Sequence, residues 1–206
     1  MKSEMIKQAF QKSLPVMAGY IVLGMGFGIL LRDAGYGALW AFSMSAFIYA
    51  GSMQYVGVGG RMVTGAHNIA VQADITVEEM DLTDMDMLVL PGGSGGVASM
   101  EADDRVMEAL RFALDNDIFV SAICAAPTIL GKRGWLDGRH AVCYPGMEDQ
   151  MGNAVMHPDQ ETVVDGKIIT GRAPGAAIAF GLTLAGMLPG AFTPDEVSGY
   201  MVYERR

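Results

Sequence analysis

The chain has 206 residues, a formal net charge of −9 and 51% apolar side chains. With no basic stripe to neutralise phosphates, a nucleic-acid partner is excluded. Two cysteines are too few for a disulfide framework and too far apart for a CxxC pair, which points to a reducing, cytoplasmic compartment.

The apolar residues are unevenly spread. After MKSEMIKQAFQK, the stretch 13–31 (SLPVMAGYIVLGMGFGILL) runs about 19 residues without a charge, close to the ~20 needed to span a bilayer. Arg32 and Asp33 interrupt it, and a second uncharged run covers residues 34–60. Gly19, Gly24, Gly26 and Gly28 suit membrane helices, where glycine is commoner than in soluble ones. Lys2, Lys7 and Lys12 precede the first run and Arg61 follows the second, so both ends would face the cytoplasm. The expectation is an apolar helical hairpin over 1–60, entering the inner or plasma membrane through residues 13–60, and a separate domain over 61–206. A buried helical pair in a soluble protein is the alternative.

This opening resembles the start of the AzlC family of branched-chain amino-acid permeases. The likeness rests on KQAFQKSLPVMAGYIVLGMGFGILLRDAGYG and MSAFIYAGSMQYVGVG, about Met1–Gly59. That family needs several further spans to build a transport path, and no long charge-free run follows Gly60. The resemblance therefore implies a two-span anchor or a permease fragment.

From Arg61 the rhythm changes to that of an α/β domain. Ile69–Ala73 alternates as a strand, and Met87–Leu90 is a short buried strand that PGGSGG turns out of. Met100–Asn116 has helical spacing, with Val106, Leu110, Ala113 and Leu114 inward and Glu101, Asp103, Asp104 and Arg111 outward. Ile118–Ile123 is β-branched and apolar, and Cys124 follows it at once. A helical run, Thr128–Lys132, comes next and Gly134 closes it. Ala141–Cys143, Thr162–Val164 and Lys167–Thr170 are later strands, with a hairpin signal at Asp165–Gly166. Ala176–Leu188 is an apolar helix too short to cross a membrane. The pattern predicts a parallel sheet covered on both faces.

Cys124 is the residue around which chemistry can be built. A thiol on a strand-to-helix turn meets unpaired N–H groups and the positive end of a helix, which favour the thiolate over a free thiol of pKa ~8.5. The alternative is a buried structural cysteine. Gly92 and Gly93 would let backbone approach a ligand closely, or simply reverse the chain. Cys143 reads as a packed strand residue. His67, His140 and His157 read as solvated or capping residues rather than general bases.

Five blocks then fall in one order: VTGAHNIAVQAD, DMLVLPGG, VSAICAAPTILGKRGWLDG, HAVCYPGMED and VVDGKIITGRAPGAAIAFGL. In these the chain resembles the ThiJ/PfpI superfamily, over about Val63–Leu188. The resemblance implies a flavodoxin-like (class I glutamine amidotransferase-like) sheet, a homodimer, and no metal or organic cofactor. It implies action on small dicarbonyls such as methylglyoxal, of glyoxalase or deglycase type, or the sensing of oxidative stress through an elbow cysteine. Cys124 would be that nucleophile. The Gly92–Gly93 turn and Ala125 would supply backbone N–H groups, from Gly93 and Ala125, to a developing oxyanion. Tyr144 would stand in the pocket where some relatives place a histidine, and Arg172 in the GRAPG block would bind substrate, or make a structural salt bridge or a dimer contact. No histidine follows Cys124, so proteolysis is disfavoured.

One departure matters. The superfamily opens with a strand, a helix and a second strand, and the first of these lies at the sheet's centre and ends on a glutamate that supports the thiolate. Here that unit is missing or replaced, and no acid occurs between Met5 and Leu31. Either Tyr20–Met25, Phe27–Asp33 and Ala38–Ser43 imitate it, or the chain joins unrelated genes and its second part is a non-catalytic module. The edge beside Leu88–Leu90 would otherwise lack a partner.

Overall fold

The computed structural model describes residues 54–65, 69–188 and 193–203. Four short strands come first: β1 (Val56–Gly57), β2 (Met62–Thr64), β3 (Ala70–Gln72) and β4 (Ile75–Thr76). Strand β5 (Met87–Leu90) leads into helices α1 (Ser94–Ala102) and α2 (Asp104–Asp115), and β6 (Phe119–Ile123) ends at Cys124. Helix α3 (Pro127–Gly131) follows, then β7 (His140–Ala141), β8 (Val155–Met156), β9 (Thr162–Asp165) and β10 (Ile168–Gly171). Helices α4 (Ala177–Met187) and α5 (Pro194–Tyr200) come last. Residues Gln54–Gly199 form one compact unit.

The apolar strands assemble in the order β5-β6-β10-β9. The first three are parallel and β9 runs antiparallel to β10. Asp165 pairs with Ile168, so the turn between β9 and β10 is Gly166–Lys167, with Gly166 at φ 60. A two-residue hairpin needs such left-handed backbone, and glycine supplies it without a Cβ clash.

Alternation along β6 sends Val120 and Ala122 to one face and Ser121 and Ile123 to the other. The first pair joins a buried cluster with Leu90 of β5 and with Val106, Met107, Leu110 and Ala113 of α2. The opposite face is covered by α4. Phe180 of that helix lies so close that a Cβ on Gly171 would come within 2.8 Å of it. The sheet is thus covered on both sides, as a parallel sheet requires.

Two helical boundaries differ from expectation. The run Met100–Asn116 is broken at Asp103, whose carboxylate accepts hydrogen bonds from Arg105 N–H (2.9 Å) and Val106 N–H (3.2 Å) and so starts a new helix. Upstream, α1 already begins at Ser94, inside the glycine-rich turn. Gly93 at φ 92 makes the reversal, and its carbonyl accepts Val97 N–H at 2.8 Å.

The second apolar run also needs correction. Val56–Gly57, placed by hydropathy inside a membrane span, is a strand that pairs in parallel with β4. Hydropathy cannot separate a buried strand from the tail of an apolar helix when no charge intervenes. No helix among the described residues is long and apolar enough to cross a membrane. The hairpin expected over residues 13–53, and the alternatives at Tyr20–Met25, Phe27–Asp33 and Ala38–Ser43, lie outside the described residues. Among the described residues, β1 and β4 form their own two-stranded sheet, and nothing pairs with the edge of β5 that faces away from β6.

Helix α3 is clamped from two sides. Glu101, near the end of α1, takes Lys132 Nζ and Arg133 Nη1 at 3.0 Å each. The Lys132 hydrogen bond, more than any other influence, holds this carboxyl below its ordinary range. On its other side Gly131 touches the chain at Gln150 and Met151, where a Cβ would collide with backbone. Gly131→Ala is therefore expected to destabilise the fold by about 1–3 kcal/mol, because backbone cannot yield as a side-chain tip can. A chemical denaturation midpoint unchanged from the parent would refute this.

Candidate functional site

The β6 strand delivers Cys124 at its end with φ 65, a left-handed backbone that side chains other than glycine, asparagine and aspartate rarely adopt. Holding it costs about 1–2 kcal/mol. Two backbone hydrogen bonds keep it there. Cys124 N–H donates to Gly171 O of β10 at 2.9 Å, and Cys124 O accepts Tyr144 N–H at 2.8 Å. The thiol is half-buried. Thr128, one of the first residues of α3 and fully buried, closes the turn by donating Oγ1–H to Ala125 O at 2.8 Å.

The glycine turn comes up against this elbow. A Cβ on Gly92 would lie 2.6 Å from Cys124 Cβ, 3.0 Å from Ile123 O and 3.2 Å from Cys124 Sγ. Only a residue without a side chain fits there. The N–H groups of Gly93 and Ala125 have no acceptor among the described residues. Ala125 directly follows Cys124, and Gly93 directly follows the glycine that touches it. Among the described residues no carboxyl group hydrogen-bonds Cys124 Sγ; the segment expected to lack the supporting glutamate lies outside them.

Tyr144 is tied to Cys124 through its backbone and is 45% exposed. Arg172 follows Gly171 directly, and its N–H donates to Glu161 O at 2.9 Å. No ion pair to its guanidinium occurs among the described residues. The structural salt bridge weighed for Arg172 is therefore not found there.

Sequence reasoning missed Thr170, whose buried Oγ1 accepts Val142 N–H at 3.0 Å and ties β10 to the segment leading to Tyr144. A hydroxyl in an otherwise apolar strand was the available signal. It also missed that His140 and His157 meet each other, whereas His67 lies outside the described residues.

Cys143 is packed as expected but not in a strand: the strand expected over Ala141–Cys143 is His140–Ala141 and ends two residues before it. It is 3% exposed, and burial, then the Glu148 and Asp149 carboxylates, push its thiol up to about 11. At pH 8 only about one part in a thousand is thiolate, three units below that value. Brief iodoacetamide treatment of the native protein at pH 8 should thus label Cys124 and spare Cys143. Equal labelling by peptide mass analysis would contradict the arrangement. A thiol raised in the folded state keeps its stabilising effect below its ordinary value near 9.0 and loses it as pH rises from there toward 11.

Comparison with known proteins fits this geometry. The DJ-1/PfpI family profile matches residues 44–187. Protein dj-1beta of Drosophila melanogaster is 36% identical over 141 residues, covering 68% of this chain and 75% of the relative. The deglycase PfpI of Pyrococcus furiosus is 36% identical over 120 residues, 58% of this chain and 72% of the relative. The crystal structure of Drosophila melanogaster DJ-1beta superposes with a TM-score of 0.66 at 33% identity, covering 71% of this chain and 79% of that one. The fold is therefore the flavodoxin-like α/β fold of the DJ-1 type. The match starts at residue 44, upstream of the expected Val63, and takes in the MSAFIYAGSMQYVGVG tract read above as permease-like. Over the part of the chain that carries the elbow, the glycine turn and both cysteines, this protein belongs to the DJ-1/PfpI family.

Proposed function

We propose that the chain is a cysteine-dependent enzyme acting on small dicarbonyls, in the manner of a glyoxalase or deglycase. The observation that carries this reading is the approach of Gly92 to a left-handed Cys124, so close that a Cβ there would lie 3.2 Å from the sulfur. The name of the Pyrococcus furiosus relative points the same way. In the proposed reaction Cys124 sulfur adds to the aldehyde carbon of an α-oxoaldehyde and forms a hemithioacetal. The carbonyl π electrons move to oxygen, and the N–H groups of Gly93 and Ala125 are assigned to that oxyanion. Transfer of a proton between the two carbons oxidises the first and reduces the second, giving a thioester. Water then releases a 2-hydroxy acid and the thiol, so the net change is addition of one water. Tyr144 and Arg172 are assigned to the pocket around the second carbonyl, and the working unit is proposed to be a homodimer.

A second reading, as a sensor of oxidative stress, uses the same atom. A half-buried thiol that solvent can reach is open to peroxide. Incubating the full chain with methylglyoxal separates the two. Loss of substrate with matching appearance of lactate supports the enzyme. No consumption above the protein-free rate, with Cys124 converted to sulfinate by mild peroxide, leaves only the sensor.

A further inference from the structure

His140 and His157 take no part in the cysteine chemistry, yet the fold brings them together. His140 opens β7, and His157 follows the last residue of β8, its parallel neighbour. His140 Nδ1 and His157 Nε2 lie 2.6 Å apart, with ring centroids separated by 4.8 Å and ring planes inclined at 33°. Both rings are reachable by solvent, that of His140 more so. Their backbones are fixed: His140 N–H donates to Asp165 Oδ2 at 2.8 Å, and His157 N–H donates to Ala141 O at 2.9 Å.

We propose that these two histidines form a bis-imidazole site for a borderline divalent transition ion such as Ni²⁺, Cu²⁺ or Zn²⁺. A neutral imidazole has one lone pair, and imidazole suits this class of ion better than it suits Mg²⁺ or Ca²⁺. In the empty pair one ring nitrogen donates to the lone pair of the other. When the ion enters, the donor ring moves its proton to its outer nitrogen through solvent, and both facing nitrogens become ligands with no net change of protonation. Metal–nitrogen bonds of about 2.0–2.1 Å at a tetrahedral angle set the two nitrogens about 3.3 Å apart. The rings must separate by roughly 0.7 Å, which partly exposed side chains can do without disturbing the strands.

The surrounding charge permits a cation. Asp165 stands behind His140 and is shared with Arg139 Nη1 at 3.5 Å, while Asp159 and Glu161 are exposed just beyond His157. Among the described residues no third histidine, cysteine or carboxylate converges on the pair, so water completes the coordination. The site is open, and its affinity should follow the order that places Cu²⁺ above Ni²⁺ and Zn²⁺.

The test titrates Ni²⁺ into the full chain by calorimetry, in a Cys124→Ser background that removes the accessible thiol as a competing ligand. One ion per chain is expected, with His140→Ala and His157→Ala each weakening binding at least about tenfold. Both variants are surface changes, and matching circular dichroism would show that they fold. Ni²⁺ should also protect both histidines from diethyl pyrocarbonate. Binding that does not saturate, or that survives both substitutions, overturns the proposal. Neither outcome depends on dicarbonyl turnover.

Discussion

Cys124→Ser should lower methylglyoxal consumption by about a thousandfold or more while leaving the protein folded. A serine hydroxyl is a far weaker nucleophile than a thiolate at neutral pH, and no base among the described residues is placed to take its proton. The substitution otherwise changes little. Both hydrogen bonds at this position are made by backbone, to Gly171 O and from Tyr144 N–H, and the left-handed conformation costs serine about what it costs cysteine. Thermal unfolding should shift by only a few degrees, corresponding to about 1 kcal/mol or less. Turnover within tenfold of the parent would remove Cys124 from the chemistry, and collapse of the fold would show instead that the sulfur is needed for packing.

Gly92→Ala should lower turnover by roughly a hundredfold, by a different route. The added methyl carbon would lie 2.6 Å from Cys124 Cβ and 3.0 Å from Ile123 O, so the elbow or the glycine turn has to move. Overpacking of this kind costs about 1–3 kcal/mol. A displacement of about 1 Å between a nucleophile and its oxyanion donors costs roughly a hundredfold in rate. Both effects are expected, and they are of similar size. Gly95→Ala offers a comparison, because open space surrounds Gly95, which lies in α1 with no positive φ to resist a side chain. Gly92→Ala turning over as fast as Gly95→Ala would sink the proposed geometry, since crowding against the sulfur is what sets the two positions apart.

Much of this was legible in the sequence because it depends on local pattern. The runs Met87–Leu90 and Ile118–Ile123, the hairpin at Asp165–Gly166 and the helix after Ala176 are each fixed by composition and turn chemistry within a few residues. The place of Cys124 at the strand's end was legible for the same reason, since the β-branched run stops at Ile123 and a small-residue turn begins there. What did not show was anything needing two distant segments at once. Thr170 gained meaning only when Val142 lay beside it, and His140 and His157 were weighed separately because 17 positions separate them in the chain. The start of the α/β unit was misplaced because an apolar strand and an apolar helix look alike until their hydrogen bonds are known. Val56–Gly57 pairs with Ile75–Thr76, across residues that carry no such signal.

The backbone angle at Cys124 has a bearing on how long such a protein can keep its thiol at the elbow. Glycine would occupy that corner at no conformational penalty, so substitution guided by durability alone runs toward a tougher chain with an empty elbow. A lineage released from the need for turnover would drift that way. The sulfur is thus the first thing neutral change would be expected to erase, well before the strands that hold it.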